Sequence, residues 1–227
     1  MTSVSEMPVS ATAAPALAMY GGTFDPIHFG HLRSAIEVGE VLGVKTTKLL
    51  PSFIPPHRSK PETETEHRLQ MLNLAVQNIK SLEVDTRELD RAGTSYTIDT
   101  LKTFRDDLGV HAPLYLVIGL DAYLLLHEWH EWQKLTDLAH LVVIERPGYE
   151  NQEPQKTVKQ WVENKLAEKP CDLKRCAAGF VCRIKLRQMD ISATMIREAL
   201  RENLSVDCLL PEAVIKYIKQ NQLYQYS

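Results

Sequence analysis

Two histidines in a glycine-rich segment are the strongest candidates for chemistry in this sequence. His28 and His31 lie three residues apart in the segment GGTFDPIHFGH, residues 21–31. Adjacent glycines let a backbone turn tightly and approach a ligand closely. The spacing brings both imidazoles to one side of a helix's first turn, where free N–H groups and the helix dipole attract anions. The pair therefore predicts a phosphate-binding turn.

The alternative for each histidine is a surface residue or a hydrogen-bonded core residue. Either histidine alone would favour that interpretation, and the pair within a glycine-rich turn reverses the balance. The spacing of Gly21, Gly22 and Gly30 does not match the GxGxxG fingerprint of dinucleotide-binding proteins. An enzyme that transfers a hydride through such a fingerprint loses support accordingly.

A second polar cluster lies in the segment ISATMIR, residues 191–197. Ser192 is a good N-cap residue, Thr194 falls in the first turn of the helix that follows, and Arg197 projects from the next turn. One interpretation is a second helix start that faces an anion. The other is a capped surface helix with a solvated arginine, and the histidine turn favours the first.

Strands that alternate with helices would have to position these clusters. We expect strands at the apolar segments LAMYGG, TTKLLPS, LEVDTREL, LYLVIG, HLVVIER and FVCRIKLRQM. Helical spacing occurs between them, including KTVKQWVENKLAEK, and the chain continues into two helices, SATMIREALREN and PEAVIKYIKQN. The alternation predicts an α/β fold, a doubly wound, Rossmann-like parallel sheet with helices on both faces and a C-terminal helical extension. Ligands bind beyond the carboxyl ends of the strands in such sheets.

Composition and charge exclude several classes of function. Lys and Arg number 26 and Asp and Glu 29, so the net charge of −3 offers no basic excess for general nucleic-acid binding. No apolar run reaches the roughly 18 residues that a membrane-spanning helix requires, so we expect no membrane partner. Four cysteines without a CxxC pair indicate reduced thiols and a cytoplasmic location.

The first residues of the chain differ in texture from the rest. Residues 1–15 are small, polar and interrupted by proline, without the basic start of a secretory signal peptide. We expect a disordered tail there. A single domain would then cover residues 16–227, with the C-terminal helical part at about residues 190–227.

Both polar clusters carry a family resemblance. The segment GGTFDPIHFGHL resembles the HxGH signature of the nucleotidyltransferase superfamily, and its GGTFDP start is typical of nicotinate-nucleotide adenylyltransferases. Residues 191–197 resemble that family's ISSTxIR motif, with Ala193 in place of the second serine. Shorter matches, PPHR, SYT, IGLD, Trp129 and RPGY, follow in order between them, so the resemblance covers the chain from about Leu17 to Tyr224.

The resemblance implies a nucleotidyltransferase of NAD biosynthesis. Such an enzyme joins the 5′-phosphate of nicotinate mononucleotide to the AMP part of ATP and releases pyrophosphate and deamido-NAD. Because the attacking phosphate oxygen is already an anion, the reaction needs placement and cancellation of charge rather than a protein nucleophile. Mg²⁺ would be bound mainly through the ATP phosphates. Asp25 could hold one of its waters, but a turn-forming role before Pro26 is favoured.

The resemblance also implies roles for individual residues. The expected catalytic residues are His28, His31 and Arg197. The expected ATP-binding residues are Gly21, Gly22, Thr23, Phe24, Ser192 and Thr194. The expected mononucleotide-binding residues are Tyr96, Thr97, Asp121, Trp129, His57, Arg58 and Arg146. No protein metal site is expected.

The mononucleotide contacts can be stated more closely. Trp129 would stack on the pyridine ring, whereas Trp132 is expected to serve packing. Backbone N–H groups near Tyr96 and Thr97 would bind the ring's carboxylate, and Asp121 would bind ribose hydroxyls. His57, Arg58 and Arg146 would approach a phosphate, with a solvated loop charge as an equal alternative for each.

Four alternatives to this function follow from the sequence. Short motifs do not distinguish an acid from an amide, so a nicotinamide-preferring or dual-specific enzyme is the nearest one. Phosphopantetheine adenylyltransferases and cytidylyltransferases share the HxGH turn. A non-catalytic nucleotide-binding protein on the same scaffold is disfavoured by His28, His31 and Arg197 together. An aminoacyl-tRNA synthetase core is disfavoured by the short chain and the lack of a KMSKS-type loop. The sequence also leaves open whether the chain forms a homo-oligomer.

Overall fold

Six parallel strands form the centre of the molecule in a computed structural model, which describes residues 15–52, 61–91, 95–145, 152–187 and 189–225. The strands are β1 (Leu17–Gly22), β2 (Thr47–Pro51), β3 (Leu82–Val84), β4 (Leu114–Gly119), β5 (His140–Glu145) and β6 (Val181–Lys185). Their order in the sheet is β3-β2-β1-β4-β5-β6, and every neighbouring pair is parallel. The order reverses between β1 and β4, and a crevice forms at such a reversal.

Helices cover both faces of this sheet. They are α1 (Phe29–Leu42), α2 (Thr65–Val76), α3 (Thr97–Leu108), α4 (Leu120–Leu124), α5 (Leu135–Leu138), α6 (Lys156–Val162), α7 (Ala193–Arg201) and α8 (Glu212–Gln220). Short 3-10 helices lie at Leu126–Glu128, Trp132–Lys134 and Pro170–Arg175. The expected doubly wound α/β fold with helices after the last strand is thereby confirmed.

Alternate residues of the strands enter two separate hydrophobic cores. Tyr20 of β1 and Val117 of β4 join the core that contains residues of α1, α2 and α8. Met19 and Leu116, their neighbours along the same strands, join the core that contains residues of α3 and α5. Successive side chains of a strand point to opposite faces, so strands buried on both faces read as continuous apolar runs. That is the pattern on which the strand predictions depended.

Three elements are much shorter than the sequence predicted, and one of them is the strand expected over FVCRIKLRQM, which covers only Val181–Lys185. The strand expected over LEVDTREL ends at Val84, because the next residues form a turn in which the Thr86 carbonyl accepts the N–H groups of Leu89 and Asp90. The helix expected over KTVKQWVENKLAEK ends at Val162. The chain after it runs beside β6 instead, where Val181 exchanges backbone hydrogen bonds with Lys165 and Ala167.

No helix among the described residues combines the length and the apolar character that a membrane crossing would need.

Arg68 of α2 is a further feature of the fold that bears on the site. Its guanidinium is fully buried and donates to the backbone carbonyls of Thr23, at 2.7 Å, and Ser52, at 2.9 Å. Arg68 therefore ties the turn after β1 to the end of β2.

Candidate active site

A cavity of about 410 Å³ lies at the carboxyl ends of β1 and β4, where the strand order reverses. It gathers most of the residues that the sequence singled out. Those that line it are Gly21, Gly22, Thr23, Phe24, His31, Tyr96, Thr97, Asp121, Trp129, Thr194 and Arg197. His28 and Ser192 are not among the lining residues and instead cap the helices α1 and α7.

The histidine turn is built as a capped helix start. His28 is the N-cap residue of α1, is only 4% exposed, and accepts the backbone N–H of His31 through Nδ1 at 3.4 Å. The two imidazole rings stack with their centroids 3.7 Å apart. Because Nδ1 of His28 acts as an acceptor, a neutral His28 ring carries its proton on Nε2. The turn thus brings two imidazoles to the first turn of a helix, where anions are favoured.

Two glycines of this turn make room for aromatic rings. A Cβ atom on Gly30 would lie 2.9 Å from Nδ1 of His28 and 3.4 Å from the backbone oxygen of Ile191. A Cβ atom on Gly22 would lie 2.9 Å from the ring of Phe24. The Phe24 ring in turn meets the ring of His31 edge-on, with centroids 5.2 Å apart. The glycines therefore allow the close ring packing that orients His31.

The start of α7 reaches the same cavity from the other polar cluster. Ser192 is its N-cap, and Ser192 Oγ accepts the backbone N–H of Met195 at 3.2 Å, as the sequence predicted. Thr194 and Arg197 line the cavity. Arg197 donates to the carbonyl oxygen of Asp25 at 2.7 Å, so the second cluster contacts the first directly.

Asp25 is a buried link between several segments. Its Oδ1 accepts the hydroxyl of Tyr224 at 2.7 Å, and its Oδ2 accepts the backbone N–H of Glu62 at 2.8 Å. Burial and the neighbouring Asp25 hold the pKa of Tyr224 far above its usual range, so this hydroxyl remains a donor. Asp25 therefore links the histidine turn to the segments that carry Glu62 and Tyr224.

Aromatic side chains form another part of the cavity lining. Tyr96 is the N-cap residue of α3, and its ring packs against that of His130 with centroids 4.4 Å apart. Trp129 and His130 both line the cavity. Trp132 packs instead against Trp161, with centroids 5.0 Å apart, as expected for a packing residue. The cavity therefore has a polar, phosphate-attracting region and an aromatic region.

A buried carboxyl group lies at the aromatic region. Glu88 is 9% exposed, lines the cavity, and accepts the hydroxyl of Thr100 at 2.9 Å. Burial raises the pKa of Glu88, while the Thr100 hydroxyl and Arg91 act in the opposite direction. Ser95, which directly precedes Tyr96 in the sequence, also lines the cavity.

Sequence reasoning missed Glu62, Glu88, His130 and Tyr224 as parts of this site. Nothing in their local patterns marks them, because each acquires its role from a contact across the fold. Tyr224 is separated from Asp25 by 199 positions and Glu62 from Arg197 by 135. His57, Arg58 and Arg146, which the sequence also predicted as phosphate neighbours, lie outside the described residues.

The comparisons with known proteins agree with one another. Residues 19–199 match the model of the cytidylyltransferase-like family. A protein of Serratia proteamaculans named "Probable nicotinate-nucleotide adenylyltransferase" is 41% identical over 208 residues, which cover 92% of this chain and 94% of the relative. A protein of the same name from Methylococcus capsulatus is 43% identical over 209 residues, covering 92% of this chain and 99% of the relative.

A solved structure shares the fold. The structure is that of Plasmodium falciparum nicotinic acid mononucleotide adenylyltransferase complexed with NaAD, which superposes with a TM-score of 0.69 at 19% identity. The match covers 92% of this chain and 97% of that chain. At this identity the likeness concerns the arrangement of strands and helices.

Proposed function

The chain belongs to the family of nicotinate-nucleotide adenylyltransferases, and on that premise we propose that its cavity is where ATP reacts with nicotinate mononucleotide. The chain is accordingly a nucleotidyltransferase of NAD biosynthesis. The reaction joins the 5′-phosphate of the mononucleotide to the AMP part of ATP, and the products are deamido-NAD and pyrophosphate. The bond between the α- and β-phosphates of ATP breaks as the new phosphate anhydride forms.

One observation carries the assignment of the site. The ring of His31 at the start of α1 and the guanidinium of Arg197 on α7 line one cavity although they are far apart in sequence, and the buried ring of His28 stacks on that of His31. Three cationic or proton-donating groups at two helix starts provide what a polyphosphate substrate requires. The reaction needs these groups to hold and neutralise phosphates, and it needs no nucleophile from the protein.

We assign the histidines and the glycine turn to ATP. His28 and His31 would donate hydrogen bonds to the ATP phosphates, and the backbone of Gly21, Gly22, Thr23 and Phe24 would form the cradle. Gly21 supports this role, since among the described residues other than its chain neighbours no atom lies within 4 Å of the position that a Cβ atom would take there. A ligand can therefore approach the backbone closely at this position.

We assign the start of α7 to the departing pyrophosphate. Arg197 would compensate the charge that develops on the leaving group, and Thr194 would contribute its hydroxyl. Ser192 would act through its N-cap bond to Met195, which fixes the helix start. Ala193 lines the cavity but has no hydroxyl, so only its backbone N–H can contribute.

The aromatic region is the proposed place of the mononucleotide. Trp129 would stack on the pyridine ring, because offset contact between flat rings is favourable. The first backbone N–H groups of α3, near Tyr96 and Thr97, would bind the carboxylate, since the first N–H groups of a helix lack partners within it. Asp121, in the first turn of α4, would bind ribose hydroxyls. The roles given to His57, Arg58 and Arg146 at a phosphate remain predictions.

Mg²⁺ is proposed to reach the site on the ATP phosphates. Each oxygen of Asp25 accepts one hydrogen bond, from Tyr224 or from Glu62, which supports a structural role for this carboxylate. Among the described residues, no group of three or more His, Cys, Asp or Glu side chains could hold a metal ion. When bound, the ion would neutralise charge on the phosphate oxygens while it keeps most of its waters.

We also propose that the protein works in the cytoplasm. Its four cysteines are all free thiols, and Cys171, Cys176 and Cys208 are exposed. Exposed unpaired thiols are typical of a reducing compartment. ATP and the mononucleotide are the only partners that the proposal requires.

Pyrophosphate release tests the proposed function. The protein is incubated with ATP and Mg²⁺ and either nicotinate mononucleotide or nicotinamide mononucleotide, and the two kcat/KM values are compared. We expect a ratio above about 10² in favour of the acid, or roughly 2.7 kcal/mol of transition-state discrimination. A ratio near one would indicate a dual-specific enzyme, and no release with either substrate would contradict the proposal.

A further inference from the structure

One carboxylate, that of Glu62, binds two arginines of α7 at the edge of the cavity. Oε1 of Glu62 accepts the Nε–H of Arg197 at 2.8 Å, and Oε2 accepts an N–H of Arg201. Glu62 and Arg197 both line the cavity. Glu62 lies outside the two sequence motifs, and the proposed function gives its carboxylate no role.

The guanidinium of Arg197 is held through all three of its nitrogens. Glu62 accepts from Nε, the carbonyl oxygen of Asp25 accepts from Nη1 at 2.7 Å, and Oγ1 of Thr194 accepts from Nη2 at 3.4 Å. A guanidinium presents five N–H donors in one rigid plane. Contacts at three different nitrogens fix that plane and leave donors on Nη1 and Nη2 for another acceptor.

Glu62 makes the strongest of these three contacts. Its carboxylate is the one charged acceptor among them, so only this contact adds the attraction between opposite charges to a hydrogen bond from the guanidinium. The Thr194 contact is long, and the Asp25 contact is to a neutral carbonyl. Removal of the Glu62 side chain would therefore release the Nε edge of the guanidinium and allow its plane to turn.

The backbone of Glu62 is itself fixed to the histidine turn. Its N–H donates to Oδ2 of Asp25, and the other oxygen of that buried carboxylate binds Tyr224. Asp25 lies three residues before His28 in the same turn. Glu62 therefore connects the segment that carries the histidines with the helix that carries Arg197.

The contact of Glu62 affects the orientation of Arg197 more than the free energy of unfolding. Its side chain is 40% exposed, and an ion pair exposed to this extent is screened by water and contributes little to the free energy of unfolding. A negative charge beside the cavity also disfavours the phosphates of ATP. A contact that gives little stability and opposes substrate charge needs another explanation, and orientation of Arg197 supplies one.

We propose that Glu62 is a positioning residue for adenylyl transfer, which sets the plane of the Arg197 guanidinium at the phosphates of ATP. The inference rests on the proposed function and on the role given there to Arg197. Loss of Glu62 should lower kcat, because a misdirected guanidinium no longer meets the charge that develops on the leaving group. The KM for ATP should not rise, since loss of Glu62 removes a repulsive charge.

Three substitutions at this position test the proposal. Glu62→Ala should lower kcat about tenfold or more, as small misplacements in an active site do, without a rise in the KM for ATP. Glu62→Gln retains an oxygen that can accept from Nε of Arg197 and should recover most of the lost kcat. Glu62→Asp keeps the charge but shortens the reach, so it should behave like Glu62→Ala. Glu212→Ala is the matched control, because it removes an exposed carboxylate that pairs with Lys216 on α8.

A readout independent of activity is the exchange of the Arg197 Nε proton with water, followed by nuclear magnetic resonance. The signal is assigned by its loss in Arg197→Lys. Exchange should be slow in the wild type and in Glu62→Gln and faster in Glu62→Ala and Glu62→Asp. If Glu62→Ala failed to fold, Glu62→Gln and Glu62→Asp would carry the comparison.

Specific results would overturn the proposal. These are a kcat of Glu62→Ala or Glu62→Asp equal to that of the wild type, a raised KM for ATP with unchanged kcat, or unchanged exchange of the Arg197 proton. A wild-type protein that releases no pyrophosphate from ATP and nicotinate mononucleotide would contradict the proposed function instead. The proton exchange would then still decide whether Glu62 holds Arg197.

Discussion

The ring of His31 contacts two other aromatic rings, and these contacts help to define its position. It stacks on His28 and meets the edge of Phe24. Because the histidines and their glycines are neighbours in sequence, this part of the site could be predicted from the spacing alone. The sequence alone could not predict that residue 30 must be a glycine. That requirement arises because there is no space for a side chain between the His28 ring and the Ile191 carbonyl.

At the residue scale, His31→Ala should lower kcat by about 10² to 10³, the usual cost of one preorganised charge-stabilising donor. The fold should persist because His31 is only partly buried. Pyrophosphate release and the far-UV circular dichroism spectrum measure the two effects. A fully active His31→Ala protein would exclude a phosphate contact by this ring.

Trp129→Ala should raise the KM for the mononucleotide far more than the KM for ATP, because the substitution removes the proposed stacking surface for the pyridine ring. Steady-state kinetics with each substrate varied in turn measure both constants. Trp132→Ala is the matched control, since Trp132 packs against Trp161 and should alter stability rather than either KM. Equal changes in both KM values for Trp129→Ala would make Trp129 a structural residue.

At the scale of single elements, the start of α1 is more constrained than its helical pattern suggests. Gly30→Ala favours the helix by about 0.5–1 kcal/mol through backbone entropy, yet its Cβ atom would displace the buried His28 ring. We expect a nearly unchanged melting temperature and a kcat lower by about tenfold to a hundredfold. Gly39→Ala, in the same helix but against Thr47, should leave kcat unaltered. Wild-type kcat in Gly30→Ala would show that the ring adapts.

Strand β5 contains a histidine that makes stability depend on pH. His140 is fully buried, its Nε2 lies 2.9 Å from the carbonyl of Cys176, and its Nδ1 accepts the N–H of Phe180. Burial lowers the pKa of His140 below its ordinary value of 6.5. The unfolded chain then binds a proton more readily than the native protein, so stability is complete above pH 6.5 and falls as the pH decreases below it.

Urea unfolding between pH 8 and pH 5 measures this effect. The free energy of unfolding of the wild type should decrease below about pH 6.5, and His140→Gln should reduce that decrease while it lowers stability at every pH. The same substitution at the exposed His111 provides the control. An identical pH profile for His140→Gln and the wild type would assign the acid sensitivity to other groups.

The boundaries of elements were predicted less well than their existence, for a physical reason. β3 ends where the carboxylate of Asp85 meets Lys48 at 2.8 Å and Arg87 at 2.7 Å, contacts that draw on another strand and on the turn. α6 ends because the chain after it gains backbone partners on β6. Long apolar runs determine which segments are strands, whereas partners distant in sequence determine where they stop.

At the scale of the whole molecule, the segment after α8 bears on the site. Tyr224 is buried and donates to Asp25. Tyr224→Phe would leave a buried carboxylate oxygen without this donor, which costs about 1–3 kcal/mol of stability. It should also lower kcat, because Asp25 holds Glu62 and contacts Arg197.

Thermal unfolding and pyrophosphate release together check this prediction. Tyr217→Phe is the matched control: its hydroxyl bonds to His67, 2.8 Å away, where α8 meets α2, and Tyr217 does not line the cavity. It should lower the melting temperature without a change in kcat. Equal kcat values for Tyr224→Phe and the wild type would separate the Asp25 link from catalysis.

The contact between Arg197 and Asp25 joins residues that are 172 positions apart in the chain, and such long-range closures are slow to form. During refolding, the protein should regain its tryptophan fluorescence and helical signal before its turnover. A chain that has assembled only one half of the sheet holds either the histidines or the arginine and transfers nothing. Turnover therefore reports that this closure has formed, so the return of activity marks a step of folding that the two spectroscopic signals do not report.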